Sequence, residues 1–222
     1  MSESGKMRLR FEKSGRAVYI SHLDLMRTMQ RAFKRAGYAL KHSECFNPHP
    51  IISILLPLSV GAGSICELMD FQLVEETDLS VLPEKLTAVM PEGIRVLEAY
   101  PAERKVKDLK WLRIRGTLEY DTAEIDTMRD GLQRFFARES IVIRKKTKRG
   151  EGESDIAPAI RSIGFAAGTG CVELTAVISA QEPTLNPDHL ISALKQCAPE
   201  LAPDFAEFTR MEVYDAGMKV FR

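Results

Sequence analysis

Apolar residues recur along the chain with two spacings, the alternation of a β-strand and the three-to-four-residue spacing of an α-helix. These two spacings predict its first elements. From Met7 to Glu12 apolar residues alternate with charged ones, which predicts a half-buried strand. Apolar residues then recur at helical spacing and predict a helix over residues 21–36. Ser21 is a favourable N-cap for this helix, and Gly37 is a favourable residue to end it.

The remaining periodic segments predict the same order of elements twice. A β-α-β-β-α-β order is expected over residues 1–103 and again over 104–222, which is the order of a ferredoxin-like sandwich. In the second half the middle strands are placed at 140–146 and 171–179. Three glycines between them predict a flexible turn: Gly164, Gly168 and Gly170. The fold class predicted is therefore α+β, with two tandem ferredoxin-like sandwiches.

Composition narrows the class of protein. Of 222 residues, 45% are hydrophobic and 28% charged, which is typical of a globular protein. The longest apolar run is too short to cross a membrane, and the N-terminus has no secretory signal pattern, so a cytoplasmic protein is expected. The spacing of the cysteines fits no zinc or iron–sulfur motif, so we expect no cofactor: Cys45, Cys66, Cys171 and Cys197.

A net charge of zero conceals a pattern of alternating blocks. The 31 Lys and Arg and 31 Asp and Glu residues balance, but residues 1–50 hold ten cations against four acids, and 101–150 hold fourteen against eight. A polyanion responds to such local patches. Two cationic sets are candidates for nucleic-acid binding: Arg27, Arg31, Lys34 and Arg35 on the predicted helix, and Arg144, Lys145, Lys146, Lys148 and Arg149 in a basic loop that is expected to project as a hairpin or as an irregular loop. The alternatives for the helix are a solvated face or a surface that docks an acidic partner.

Histidines near the first helix could support catalysis. A metal-free ribonuclease needs a base near neutral pKa and a cation for the developing phosphorane charge. His22 or His49, with Arg27 or Arg31, could supply both. The alternative is structural: Ser21 and Asp24 cap the helix, and His49 bonds the backbone of its own loop. We expect the chain not to be catalytic on its own.

Two motifs resemble a known family. The stretch Tyr19 to Arg27 and the stretch Phe46-Asn47-Pro48-His49-Pro50, with Leu56 to Gly61 and a later Asp155-Ile156-x-Pro158, resemble the radical-SAM-linked protein family. That family is a domain of unknown function found beside, or fused to, cobalamin-binding radical SAM proteins. The resemblance is strongest over residues 8–75. It implies a radical SAM protein as partner and these motif residues: Ser21, His22, Asp24, Asn47, Pro48 and His49.

The resulting functional hypothesis is an accessory, RNA-binding or substrate-presenting partner of a radical SAM enzyme in RNA modification. Two alternatives stay open. The element order is also similar to that of the tandem ferredoxin-like endoribonucleases that process CRISPR repeat RNA, which is an analogy of fold only. The third hypothesis is a pure protein-interaction module whose basic helix docks on the enzyme. No membrane contact is expected.

Overall fold

The protein is an α+β structure of two units. The computed structural model describes residues 5–147 and 150–222. The first unit comprises residues 1–106 with Arg222, and the second comprises 107–221. None of the helices in the described part of the chain is both long enough and apolar enough to span a membrane.

In its described residues, the first unit contains four strands and two α-helices. In chain order they are β1 (Met7–Lys13), α1 (His22–Arg35), β2 (Ile52–Ile54), β3 (Gly63–Phe71), α2 (Leu82–Thr87) and β4 (Ile94–Pro101). The strands form an antiparallel sheet in the order β4-β1-β3-β2. The predicted helix over 21–36 is confirmed as α1.

One face of this sheet supports the core of the first unit. Leu9 and Phe11 of β1 are fully buried and lie in one cluster with Met29 and Phe33 of α1. The Phe33 and Phe71 rings lie 5.0 Å apart. The predicted alternation of β1 is therefore the pattern that packs α1 against the sheet.

The second unit contains six strands and two helices. They are β5 (Leu109–Glu119), α3 (Ile125–Phe136), β6 (Val142–Thr147), β7 (Gly150–Asp155), β8 (Ile160–Ala167), β9 (Cys171–Ser179), α4 (Asp188–Cys197) and β10 (Phe205–Asp215). Four strands form an antiparallel sheet in the order β10-β5-β9-β8. Strands β6 and β7 pair only with each other in a two-stranded sheet.

The structure corrects two strand predictions in the second unit. The segment predicted as a flexible turn is largely β8, because Ile163 and Phe165 alternate with small residues and Phe165 stacks on Phe136 at 5.7 Å. Glycine in a strand obscures this alternation in the sequence. The strand predicted at 140–146 exists, but it belongs to the hairpin β6–β7 outside the four-stranded sheet.

Candidate functional site

The start of α1 is fixed by local hydrogen bonds. Ser21 is the N-cap, and its hydroxyl accepts a bond from the Asp24 amide at 3.2 Å. The same hydroxyl lies 2.8 Å from Asp24 Oδ2, and Asp24 Oδ1 pairs with Arg27 at 3.1 Å. These bonds lower the pKa of Asp24, with the Ser21 bond contributing most. Ser21 and Asp24 therefore have a capping role here, as the structural interpretation expects.

A buried lysine supports the segment that leads into α1. Lys13, at the end of β1, is 1% exposed, and its ammonium donates to the carbonyls of Val18 and Ile20 at 3.0 Å each. Burial lowers the pKa of Lys13, and the nearby charge of Glu67 opposes that shift. The carbonyls of Val18 and Ile20, on either side of Tyr19, thus converge on one buried cation.

The loop that carries the Phe-Asn-Pro-His-Pro motif closes on itself. His42 bridges to Pro50, and the Ser43 amide donates to the His49 carbonyl at 2.9 Å. Inside this closure, Ser43 Oγ lies 3.0 Å from His49 Nδ1 and 3.2 Å from Cys45 Sγ. The Cys45 thiol donates to the Asn47 carbonyl at 3.0 Å.

His22 and His49 lie at opposite ends of the first unit. Met7, where β1 begins, and Ile52, which follows the His49 loop, both pair with Phe71. α1 begins after the other end of β1, and its 14 residues run back over about 21 Å. No hydrogen bond joins His22 to the His49 loop among the residues described. His22 and His49 therefore belong to separate sites, and each can be considered as a base only with the cations on its own side of the unit.

The four cations predicted on the first helix share its exposed side. Arg27, Arg31, Lys34 and Arg35 are all exposed. Arg27 is paired with Asp24, whereas Arg31, Lys34 and Arg35 form no ion pair with any residue that the structure describes. Three exposed charges on adjacent turns are therefore available to an external anion.

Two of the aromatic residues close to this helix are exposed. Tyr19, just before α1, is 70% exposed, and Phe46, in the loop after it, is fully exposed. Tyr38 is half-buried, with the Lys85 ammonium 5.6 Å from its ring centre. Tyr19 and Phe46 thus present ring surface to solvent on either side of the cations in the sequence.

The second cationic set begins in β6 and is only partly described. The predicted basic loop is a strand as far as Thr147. Arg144 is exposed and lies 3.6 Å from Glu153 across the hairpin, and Lys145 is half-buried. The Lys146 side chain, Lys148 and Arg149 lie outside the described residues. The segment is one strand of a hairpin, in which Glu153 and glycines of β7 pair with it.

The hairpin is anchored to α4. The Arg144 amide donates to Gln196 Oε1 at 2.8 Å, and Gln196 Nε2 donates to the Arg144 carbonyl at 3.1 Å. His189 of α4 lies near Lys145, and its Nδ1 is buried without a hydrogen-bond partner in the described structure. Burial lowers the pKa of His189, and the charge of Lys145 adds to the shift.

The sequence prediction missed the internal contacts of the site. Nothing in the spacing of Ser43, Cys45 and His49 indicates that they converge, because the ends of the loop are held by backbone bonds among Lys41, Ile51 and the distant Gln72. Lys13 was visible as the one charged residue that continues the apolar face of β1. Within the described residues, no group of three or more His, Cys, Asp or Glu is placed to hold a metal ion.

Comparison with known proteins defines a family. Residues 6–187 match the model of an uncharacterized protein conserved in bacteria (DUF2344), and the chain belongs to that family. No curated protein matches the chain.

Two solved structures are similar to it. A crystal structure of a Cbf5-Nop10-Gar1 complex matches 93% of this chain with 9% identity and a TM-score of 0.50, which is a likeness of fold. The chain spans 48% of that protein's length. A crystal structure of an unknown protein from Galdieria sulphuraria matches over 94% of this chain and 99% of its own, with 11% identity and a TM-score of 0.28.

Proposed function

We propose that this protein is a non-catalytic, RNA-binding or substrate-presenting partner of a radical SAM enzyme that modifies RNA. The proposal has two parts, RNA binding (the RNA half) and partnership with a radical SAM enzyme (the radical SAM half). The observation that supports the RNA half is the exposed face of α1, where Arg31, Lys34 and Arg35 lack ion-pair partners among the described residues. Each such cation can neutralise a phosphate and release a counterion. The radical SAM half rests on the resemblance of the Ser21–Asp24 and Phe46–Pro50 motifs.

The proposed architecture is a pair of ferredoxin-like sandwiches. In chain order, each four-stranded sheet places its fourth strand beside its first, then its third, then its second. The hairpin β6–β7 is then an insertion between the first helix and the second strand of the second sandwich. The strand orders β4-β1-β3-β2 and β10-β5-β9-β8 support this assignment.

The geometry favours binding over catalysis. A base and a phosphorane-stabilising cation have to meet at one phosphate. His49 Nδ1 lies 3.0 Å from the Ser43 hydroxyl of its own loop, and Arg27 is paired with Asp24 at 3.1 Å. The cations of α1, in contrast, need only a common exposed face.

The RNA half is tested by titrating the full chain against labelled tRNA and rRNA fragments at two salt concentrations. We expect affinity that weakens with salt, and weaker binding in R31Q/R35Q, because two phosphate contacts are lost. The dependence of log K on log salt should fall by about 1.4 to 1.8. R134Q/K195Q is the matched control, since it removes two exposed cations from α3 and α4.

Three results would contradict the proposal. Binding that does not depend on salt, or that R31Q/R35Q leaves unchanged, would remove the RNA half. Cleavage of the RNA by the wild-type chain would remove the non-catalytic part. If a radical SAM protein does not co-purify with the chain after nuclease treatment, the partner half is wrong.

A further inference from the structure

We propose that the uncovered face of the second sheet, β10-β5-β9-β8, binds single-stranded RNA through Trp111 and the arginines around it. This surface shares no residue with the cationic face of α1. The present proposal also specifies the class of ligand, single-stranded RNA, which the first proposal leaves open. The proposal rests on how β5 alternates and on what the neighbouring strands place beside it.

The two faces of β5 are unlike each other. Leu112, Ile114 and Leu118 are buried. The residues between them point to the opposite face, where Arg113 and Arg115 are exposed and Trp111 is half-buried. The buried side is the side on which helix α3 packs, since Phe136 of α3 stacks on the half-buried Phe165, which pairs with the buried Leu174 on that side of the sheet.

Trp111 lies in a cluster of side chains with flat groups on the uncovered face. The Arg161 guanidinium, from β8, is 5.4 Å from the centre of the Trp111 ring. Tyr214 of β10 pairs with Trp111 across the strands and is half-buried. Neighbouring residues on one face of an antiparallel pair have side chains in contact range. Two aromatic rings and a guanidinium plane thus share one patch, and nucleobases stack on surfaces of this kind.

Arginines extend the patch along β5. Arg113 and Arg115 form no ion pair within the described residues, and neither does Arg161. Arg115 lies between Thr175 of β9 and Thr209 of β10, which are uncharged neighbours able to hydrogen-bond a phosphate. Arginine suits this role because its planar fork can hold two phosphate oxygens at once.

The other end of the same face is acidic. Glu119, Glu173 and Glu207 are exposed and lie beyond Arg115 in the register. These carboxylates repel a phosphate backbone, so they restrict the bound RNA to the end of the face that holds Trp111. At the Trp111 end, Glu212 of β10 lies opposite Arg113, and its carboxylate accepts a bond from the Val213 amide at 2.9 Å. The Trp111 end therefore holds the arginines Arg113, Arg115 and Arg161 beside this one glutamate, whereas the other end holds the three exposed glutamates.

The ligand predicted is single-stranded, because the bases must leave their own stack to reach a half-buried ring. In an RNA duplex the bases are stacked within the helix, and proteins contact mainly phosphates and 2′-hydroxyls. A duplex could therefore engage the arginines without approaching Trp111.

The chain contains one tryptophan, so its fluorescence reports on this patch alone. Oligouridylate and oligoadenylate of equal length are titrated into the full chain, with the corresponding DNA oligonucleotide and a duplex RNA as further arms. We expect saturable quenching of Trp111 by single-stranded RNA and little by duplex. Quenching by DNA equal to that by RNA, equal quenching by duplex, or no quenching would overturn the proposal.

Variants separate this surface from α1. R113Q/R115Q should weaken quenching by about tenfold or more and lower the salt slope by about 1.4, because two phosphate contacts are lost. R134Q/K195Q again serves as the matched control on the helical side and should leave quenching unchanged. W111F, followed with a labelled oligonucleotide, should keep most of the stacking, whereas W111A should weaken binding about 5- to 100-fold.

The two proposals fail in distinguishable ways. If R31Q/R35Q abolishes RNA binding and R113Q/R115Q changes nothing, the sheet surface is wrong and the α1 proposal stands. If R113Q/R115Q abolishes quenching while R31Q/R35Q has no effect on any RNA, the sheet surface stands and the α1 assignment is wrong.

Discussion

Lys13 is a buried cation whose ammonium donates hydrogen bonds to the backbone that leads into α1. It donates to the carbonyls of Val18 and Ile20 and lies within the field of the Glu67 charge, so replacing it by an apolar residue leaves two buried carbonyls without that donor. Leaving buried acceptors without their donor is costly because they stay desolvated.

Lys13→Met should therefore lower the free energy of unfolding by about 3 kcal/mol, measured by urea denaturation. The double variant K13M/E67Q should show a loss that is not the sum of the two single losses, since the charges of Lys13 and Glu67 interact in the folded protein. A loss below about 1 kcal/mol for K13M would show that the two carbonyls do not depend on this ammonium.

His189 predicts a pH dependence of stability. Burial, then the charge of Lys145, holds its pKa below the ordinary value of 6.5, while Asp188 opposes the shift. The unfolded chain therefore binds this proton more readily than the folded chain, so stability is lost as pH falls from 6.5 through the folded-state pKa.

His189→Gln should remove this contribution. The melting temperature of the wild type should fall more steeply between about pH 7.5 and about pH 5.5 than that of the variant. Equal slopes in the two proteins would mean that His189 keeps its ordinary pKa after folding.

At the scale of the element, the N-cap of α1 is the clearest case. Ser21→Ala removes the acceptor of the Asp24 amide and should lower the free energy of unfolding by about 1 kcal/mol. Ser21→Asn is the control and should retain most of the stability, because asparagine caps as well as serine. If both variants lose the same amount, the cap is not the cause.

The hairpin β6–β7 offers a second element to test. Gln196→Ala removes both bonds to the Arg144 backbone, so amide exchange at Arg144 should accelerate by about tenfold, the equivalent of about 1.4 kcal/mol. Gln133→Ala, at an exposed glutamine of α3, should leave that rate unchanged. Unchanged exchange in Q196A would show that strand pairing alone holds β6.

How far the sequence predicts the elements depends on how much of each is fixed locally. α1 was predictable because its cap, apolar spacing and stop are all within the segment. β8 was not, because the exposed positions between Ile163 and Phe165 and after them hold glycine and alanine, which are not typical of a strand, and its pairing with β9 cannot be read from the segment alone. In the candidate site, the common face of the α1 cations was predictable from helical spacing. The separation of His22 from His49 was not, because it depends on how the strands pair in the sheet.

For the whole molecule, the cancelling charge blocks yield one more prediction. With a sequence pI of 6.9, the chain carries net negative charge at about pH 8.5, yet its arginines remain protonated. RNA affinity should then change less than about threefold between pH 7 and about pH 8.5, because it follows the local cations. A loss that parallels the net charge, measured at constant salt, would contradict a patch mechanism.

Each sheet also places the two ends of its unit side by side. Met7 of β1 pairs with Pro101 of β4, and Leu109 of β5 pairs with Asp215 of β10, so chain entry and exit are one strand spacing apart, about 5 Å. A unit whose two ends lie side by side can be joined to a terminus of another polypeptide or inserted within one of that polypeptide's surface loops. Either connection disturbs the structure of that polypeptide little. Gene fusion and domain insertion are thus geometrically equivalent routes for either half.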